Sequence, residues 1–184
     1  NFNHLKIHTQ YSICEGAIKI DNLKDFCKEN KIPCLGLSDT SNLFGALEFA
    51  ENISKVGTQP IIGTQIYFRF EDTTGLLPLI ALNENGYKRI IELSSRSYLE
   101  NDALSDPHLD IKELLNDTEG VLLLSGTIQG LFGKLFQKGR LEEISKIYRS
   151  LSSIFHNNFY LEIQRHGDQN EIVFEKFNLE QSSI

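Results

Sequence analysis

Methionine is absent from the 184-residue chain, even at position 1, and this leads to the expectation of a segment taken from a longer protein. Long apolar runs are missing too. The strongest candidates, LLPLIAL and VLLLS, are strand-sized and fall far short of the roughly 18 to 20 residues that cross a bilayer. A membrane span and a secretory leader are therefore not expected. Cysteine is scarce and odd in number: Cys14, Cys27 and Cys34 show no CxxC spacing, which points to free thiols in a reducing cytoplasm and not to a disulfide framework. Basic charge is in deficit, with 18 Lys and Arg against 25 Asp and Glu and a formal charge of -7. Phosphate binding calls for clustered Lys and Arg, so gripping nucleic acid directly is excluded as the task of this segment. No GxGxxG or Walker pattern is present to cradle a nucleotide, and no internal repeat, low-complexity tract or linker divides the chain.

What is present is a globular profile, 40% apolar and 23% charged, enough for a buried core in one domain over residues 1–184. Short apolar stretches alternate with helical periodicity. HLKIH, CLGLSD, IIGTQIYF, VLLLS and FYLEIQ read as strands of a mainly parallel sheet, open or closed into a barrel. IIGTQIYFRF and LLPLIALNENG read as two strands joined by the turn-rich EDTTG. Between the strands, NLKDFCKEN places Leu23, Phe26 and Cys27 at i, i+3, i+4, and SNLFGALEFAENISK reads as a second helix. YKRIIELSSRSYL sets Tyr87, Ile90, Ile91 and Ser94 on one side. NDALSDPHLD, with its Asp-Pro, reads as a loop, and Asp110 is a plausible N-cap for the segment after it. LEEISKIYRSLSSIF and EIVFEKFNLEQSSI supply the last two helices, the second ending without a following strand.

In α/β sheets, sites gather at the carboxyl ends of the strands. That rule selects His8, Asp39, Gln65, Ser125 to Thr127 and His166. In an extended HLKIH, His4, Lys6 and His8 project to one face, so two imidazoles flank an ammonium that has three donors and no lone pair. His4 is read as a packed strand-start residue, His108 as a solvated loop residue and His156 as a helix-end imidazole. Gly16, Gly45, Gly63, Gly126 and Gly167 are read as devices for tight turns, and the Phe and Tyr residues as core.

HLKIHTQYS, LSDTSNLFGALEF, QPIIGTQIYF, GVLLLSGTIQG and YLEIQRHG, in that order, resemble the N-terminal PHP (polymerase and histidinol phosphatase) domain of the alpha subunits of bacterial DNA polymerase III. The resemblance implies a distorted TIM-like (βα) barrel, truncated at its C-terminal end here. Family members with an intact site look like multinuclear metal centres that activate water for phosphoester hydrolysis. Carried over position by position, Lys6 stands at the first histidine, Thr40 at the second-motif histidine, Gln65 at the glutamate and Thr127 at the fourth-motif ligand, while His8, Asp39 and His166 remain. These seven are read as a vestigial metal site: no catalytic residue, cofactor or bound metal is expected, and Lys6 is expected to replace the lost cation by pairing with Asp39.

The leading functional reading is a structural and docking domain for a replicative DNA-directed DNA polymerase, itself inactive. The resemblance implies that magnesium-dependent nucleotidyl transfer belongs to a palm domain far downstream. It also implies partners: the rest of the alpha subunit, a proofreading exonuclease, and DNA only through the parent protein. A metal-dependent phosphoesterase, or a metal nuclease of the same family, is the competing reading.

Overall fold

The computed structural model describes residues 2–102 and 104–182; Asn1, Ala103, Ser183 and Ile184, which fall within segments read above, lie outside the described residues. Among the described residues the helices are α1 (Ile20–Asn30), α2 (Ala46–Ser54), α3 (Glu84–Leu99), α4 (Leu131–Gln137), α5 (Leu141–Phe155) and α6 (Gln169–Gln181). The strands are β1 (Cys34–Thr40), β2 (Gln59–Phe70), β3 (Thr73–Ala81), β4 (Leu109–Asp110), β5 (Val121–Leu124) and β6 (Phe159–Tyr160). They form one sheet in the order β1-β2-β3-β5-β6, with β4 beside β2. The class is α/β, as expected.

β1, β2, β5 and β6 run in one direction: β1 pairs β2 in parallel and β5 pairs β6 in parallel, while β3 lies antiparallel to both β2 and β5. The reversal comes from the β2–β3 hairpin, whose two-residue link, Glu71 and Asp72, places Glu71 at a φ of 51°. Arg140 holds this link from outside, with its guanidinium 2.5 Å from Glu71 and 3.0 Å from Asp72 and stacked over the Phe70 ring. The β3–β5 ladder stops at Leu79. Its neighbour Pro78 has no N–H with which to extend the ladder.

HLKIH is extended, but it joins the sheet through a single parallel bridge, Ile7 to Leu37. Three backbone bonds hold it to β1: Gly36 N–H to His4 O at 2.7 Å, Ile7 N–H to Gly36 O at 3.1 Å, and Ser38 N–H to Ile7 O at 2.8 Å. FYLEIQ likewise forms a ladder only at Phe159 and Tyr160. His4 is exposed, with its ring edge-on to Phe2, so the packed position expected for it is not found.

Side-chain alternation gives the sheet two faces. Leu35 and Leu37 of β1 pack with Ile20, Leu23 and Cys27 of α1 and Phe49 and Ile53 of α2. Ile66, Phe68, Leu77, Leu79 and Leu123 pack with Ile90 and Leu93 of α3, Phe132 of α4, Ile144 and Leu151 of α5, and Phe174 and Phe177 of α6. The other face carries Lys6, His8, Gln65, Leu76 and Pro78, which line a common cavity with residues after β5 and β6. The sheet therefore curls toward a barrel, with its polar face inside and its helices outside. Two helix faces differ from the periodicity reading. Phe26 is 45% exposed, and α3 buries Gly86, Ile90, Leu93 and Ser97 while Ile91 is 40% exposed.

Gly36 is what lets the first segment approach: a Cβ there would lie 2.3 Å from the Leu5 carbonyl oxygen. Gly36→Ala is therefore expected to push residues 4–7 off β1, with a cost of roughly 1 to 3 kcal/mol as for other overpacked sites. A urea titration, together with loss of amide protection at Ile7 and Ser38, checks this.

Candidate functional site

At the carboxyl end of β1, Asp39 has no solvent exposure. Its Oδ1 accepts from Thr9 N–H at 2.6 Å and from Ser12 Oγ at 2.6 Å, and its Oδ2 accepts from Thr9 Oγ1 at 2.7 Å. Hydrogen bonds to a carboxylate of this kind are charge-assisted and among the stronger ones in proteins. They fold residues 9–16 back over the end of β1. Ser12 Oγ also accepts from Thr40 N–H at 3.1 Å, which locks the following residue in place.

Thr40 points to the opposite face from Asp39, because successive side chains of a strand alternate. Its hydroxyl donates to Glu15 Oε2 and accepts from Gln65 Nε2 at 2.7 Å. The orientation of this relay follows from proton count: a hydroxyl has one proton, and an ionised carboxylate can only accept it. The Gln65 amide must then present its NH₂ to Thr40. Gln65 is 6% exposed, so the position read as a lost glutamate is a buried amide that donates through Thr40 toward the Glu15 carboxylate.

Lys6, His8, Glu15, Gln65, Thr127, Gln129 and Gln164 line a cavity of about 270 Å³ together with Leu76 and Pro78. The Lys6 ammonium donates to Glu162 Oε1 at 2.9 Å, with the two side chains 17% and 13% exposed. The expected Lys6–Asp39 pair is not formed. Lys6 and Asp39 project from opposite faces of the sheet, and the neutral donors of Thr9 and Ser12 have already satisfied the carboxylate. The His8 Nδ1 is buried without a partner.

Four of the seven expected positions, Lys6, His8, Gln65 and Thr127, thus share the cavity wall, and Thr40 touches it through Gln65. Asp39 is buried behind the strand. His166 is separate as well: its side chain is 72% exposed, and its Nδ1 lies 2.8 Å from Glu171 Oε1. The loop after β6 turns away because Glu171, in the first turn of α6, also accepts from the His166 backbone N–H at 2.7 Å. Among the described residues no group of three or more His, Cys, Asp or Glu side chains is placed to hold a metal ion.

Sequence reasoning missed Thr9, Ser12, Glu15, Glu162 and Gln164. Thr9, Ser12 and Glu15 follow the first motif closely, and a buried Asp39 needing donors was the available clue. Glu162 and Gln164 stand two positions apart after β6; Gln164 lines the cavity and Glu162 meets it through Lys6. A larger groove, about 600 Å³ between α5, β6 and α6, gathers none of the expected residues.

An α/β sheet curled around a polar cavity at its strand ends is the class of this molecule. The chain belongs to the PHP domain family, whose model matches residues 4–166. It is 38% identical over 175 residues to the DNA polymerase III subunit alpha of Caulobacter vibrioides, a match covering 90% of this chain and 15% of that protein. The subunit of the same name from Thermus aquaticus is 34% identical over 180 residues, with the same two coverages. The chain therefore spans about 15% of the length of these relatives. In fold it is similar to a Bifidobacterium adolescentis protein described as a metal-dependent phosphoesterase, with a TM-score of 0.57 and 12% identity, covering 98% of this chain and 84% of the other. Among the described residues no helix is long and apolar enough to cross a membrane.

Two predictions follow from this geometry. Asp39→Ala leaves the Thr9 and Ser12 donors buried without an acceptor, at roughly 1 to 3 kcal/mol per stranded group. It should lower unfolding stability by about 3 kcal/mol or more in denaturant titration. The His166 ring and then its backbone N–H hold the Glu171 carboxyl below its usual range. A lowered carboxyl pKa gives stability that is present above the ordinary glutamate value near 4.3 and is lost as pH falls through the lowered folded value. Glu171→Gln should therefore flatten the loss of stability below about pH 5, measured as the thermal midpoint against pH.

Proposed function

We propose that this chain is the PHP domain of a DNA polymerase III alpha subunit and performs no chemistry of its own. It serves as a structural and docking module for the polymerase core and for a proofreading exonuclease, in the cytoplasm, and meets DNA only through the rest of the polymerase. The observation that carries this reading is the chemistry of the cavity wall. A metal centre for phosphoester hydrolysis needs anionic or imidazole lone pairs converging on one point. Here one wall position is an ammonium, another is an amide whose nitrogen is committed to Thr40, and Thr127 and Thr40 offer hydroxyls. Neutral hydroxyls and amides are weak ligands for divalent ions, and an ammonium repels them. Of the two remaining histidine positions only His8 lines the cavity, and His166 lies outside it, so one imidazole beside an ammonium does not make a metal centre.

An acidic chain whose strand-end cavity is lined by its own polar side chains suits a protein-facing role. The 38% identity to an alpha subunit supports assignment to the polymerase. DNA-directed DNA synthesis, with its magnesium, is then work for the parts of such a subunit that lie outside this chain.

The test takes the purified chain, equilibrated with zinc or manganese and dialysed, into elemental analysis and an assay on bis-p-nitrophenyl phosphate. Neither retained metal nor hydrolysis is expected. Binding to the exonuclease subunit of the same replication machinery, followed by sedimentation, is expected to survive chelator. Stoichiometric metal that is lost on His8→Ala, accompanied by hydrolysis, would overturn the reading in favour of a phosphoesterase.

A further inference from the structure

We infer that the Lys6–Glu162 ion pair is the fastening that closes the curled sheet on itself, so that Lys6 supplies as part of the chain the positive charge that holds the two edges together. This rests on the proposed reading of the cavity as metal-free. The sheet has two edges. One is the extended segment of residues 4–8, attached to β1 by three backbone bonds. The other is β6 with the extended residues after it, attached to β5 by a two-residue ladder. Among the described residues no backbone hydrogen bond joins these two edges, and Lys6 Nζ to Glu162 Oε1 at 2.9 Å is the hydrogen bond that spans them.

The acceptor is prepared for its partner. Glu162 N–H donates to Ser125 Oγ at 2.9 Å, and Ser125 has no solvent exposure, so the Glu162 backbone is anchored at the end of β5. Gln164 Nε2 adds a second donor to the same oxygen at 3.1 Å. The other carboxylate oxygen, Oε2, is buried without a partner. Glu162 is therefore a largely desolvated anion whose charge is met from one side, by Lys6. Desolvated charges are costly unless paired, and the partner left behind by a one-sided deletion stays uncompensated.

Lysine suits this place for two reasons. Its four-carbon stem reaches across a cavity from a backbone that is not itself in ladder contact, and its ammonium is a point charge that needs no fixed coordination geometry. A divalent ion would ask for several lone pairs and would leave if chelated. An ammonium is covalently retained, so the cavity stays closed without a ligand, and the rim loops that a protein partner meets keep their places.

The experiment is hydrogen exchange by mass spectrometry on the whole chain, with Lys6→Met, Glu162→Gln, the double variant, and the charge-reversed Lys6→Glu with Glu162→Lys. Each single variant should lose protection roughly tenfold at amides 5–8 and 160–164 while the α3 and α4 amides keep theirs, the signature of local opening. The double variant should lose less than the two single losses combined, and the reversed pair should recover protection. Unchanged exchange at both edges in Lys6→Met and Glu162→Gln would overturn the inference. Should Lys6→Met fold poorly, the isosteric Glu162→Gln alone decides the point. Wild-type protection that falls on chelation and returns with zinc would instead overturn the metal-free reading on which the inference rests, and the edge variants distinguish that failure from the first.

Discussion

A carboxylate taken fully out of water must find donors, and Asp39 is the residue around which this molecule satisfies that demand. Its partners are neutral groups from residues 9–12, so the cost of burying the charge is offset by local hydrogen bonds and not by a cation. That choice has consequences at each level. It pins the loop after the first segment, it orients Ser12 toward the Thr40 amide, and through Thr40 it sets the Glu15 and Gln65 side chains on the cavity wall. It also leaves Lys6 without a role at Asp39.

The cavity that results is polar, and among the described residues no three His, Cys, Asp or Glu side chains are grouped to hold a metal ion. Glu15, Gln65, Lys6 and His8 all line it. Lys6 is committed to Glu162, and Glu15 and the Gln65 nitrogen to Thr40, whereas the His8 Nδ1 has no partner. The side chains standing at these positions, and not the fold, decide what chemistry such a cavity can support.

Several elements were legible because hydrophobic periodicity is local. The β-α alternation, the β2–β3 hairpin, and helices α1, α2, α3, α5 and α6 all follow from it. The errors have physical causes. α4 spans only Leu131–Gln137, too short for a periodic signal, and it holds its place through burial of Leu131, Phe132 and Leu135. Phe26 and Ile91 are apolar residues beside, and not on, the stripes that packing buries; exposed apolar residues are ordinary. HLKIH and FYLEIQ carry strand patterns, yet as the two sheet edges they have a neighbour on one side only, and most of their length stays outside a ladder.

By itself the sequence determined the α/β class, the family motifs, and which residue types stand at the expected metal positions, because these depend on residue identity and on spacing along the chain. Only the tertiary structure decided the partners: Lys6 with Glu162, separated by 156 positions, Asp39 with Thr9 and Ser12, and His166 with Glu171 outside the cavity. Strand alternation fixes which way each side chain points, and the curl of the sheet brings its two edges face to face. Neither the alternation phase at β1 nor the curvature is carried by any one motif. The identity of the charge that meets the Lys6 ammonium is therefore a property of the fold as a whole.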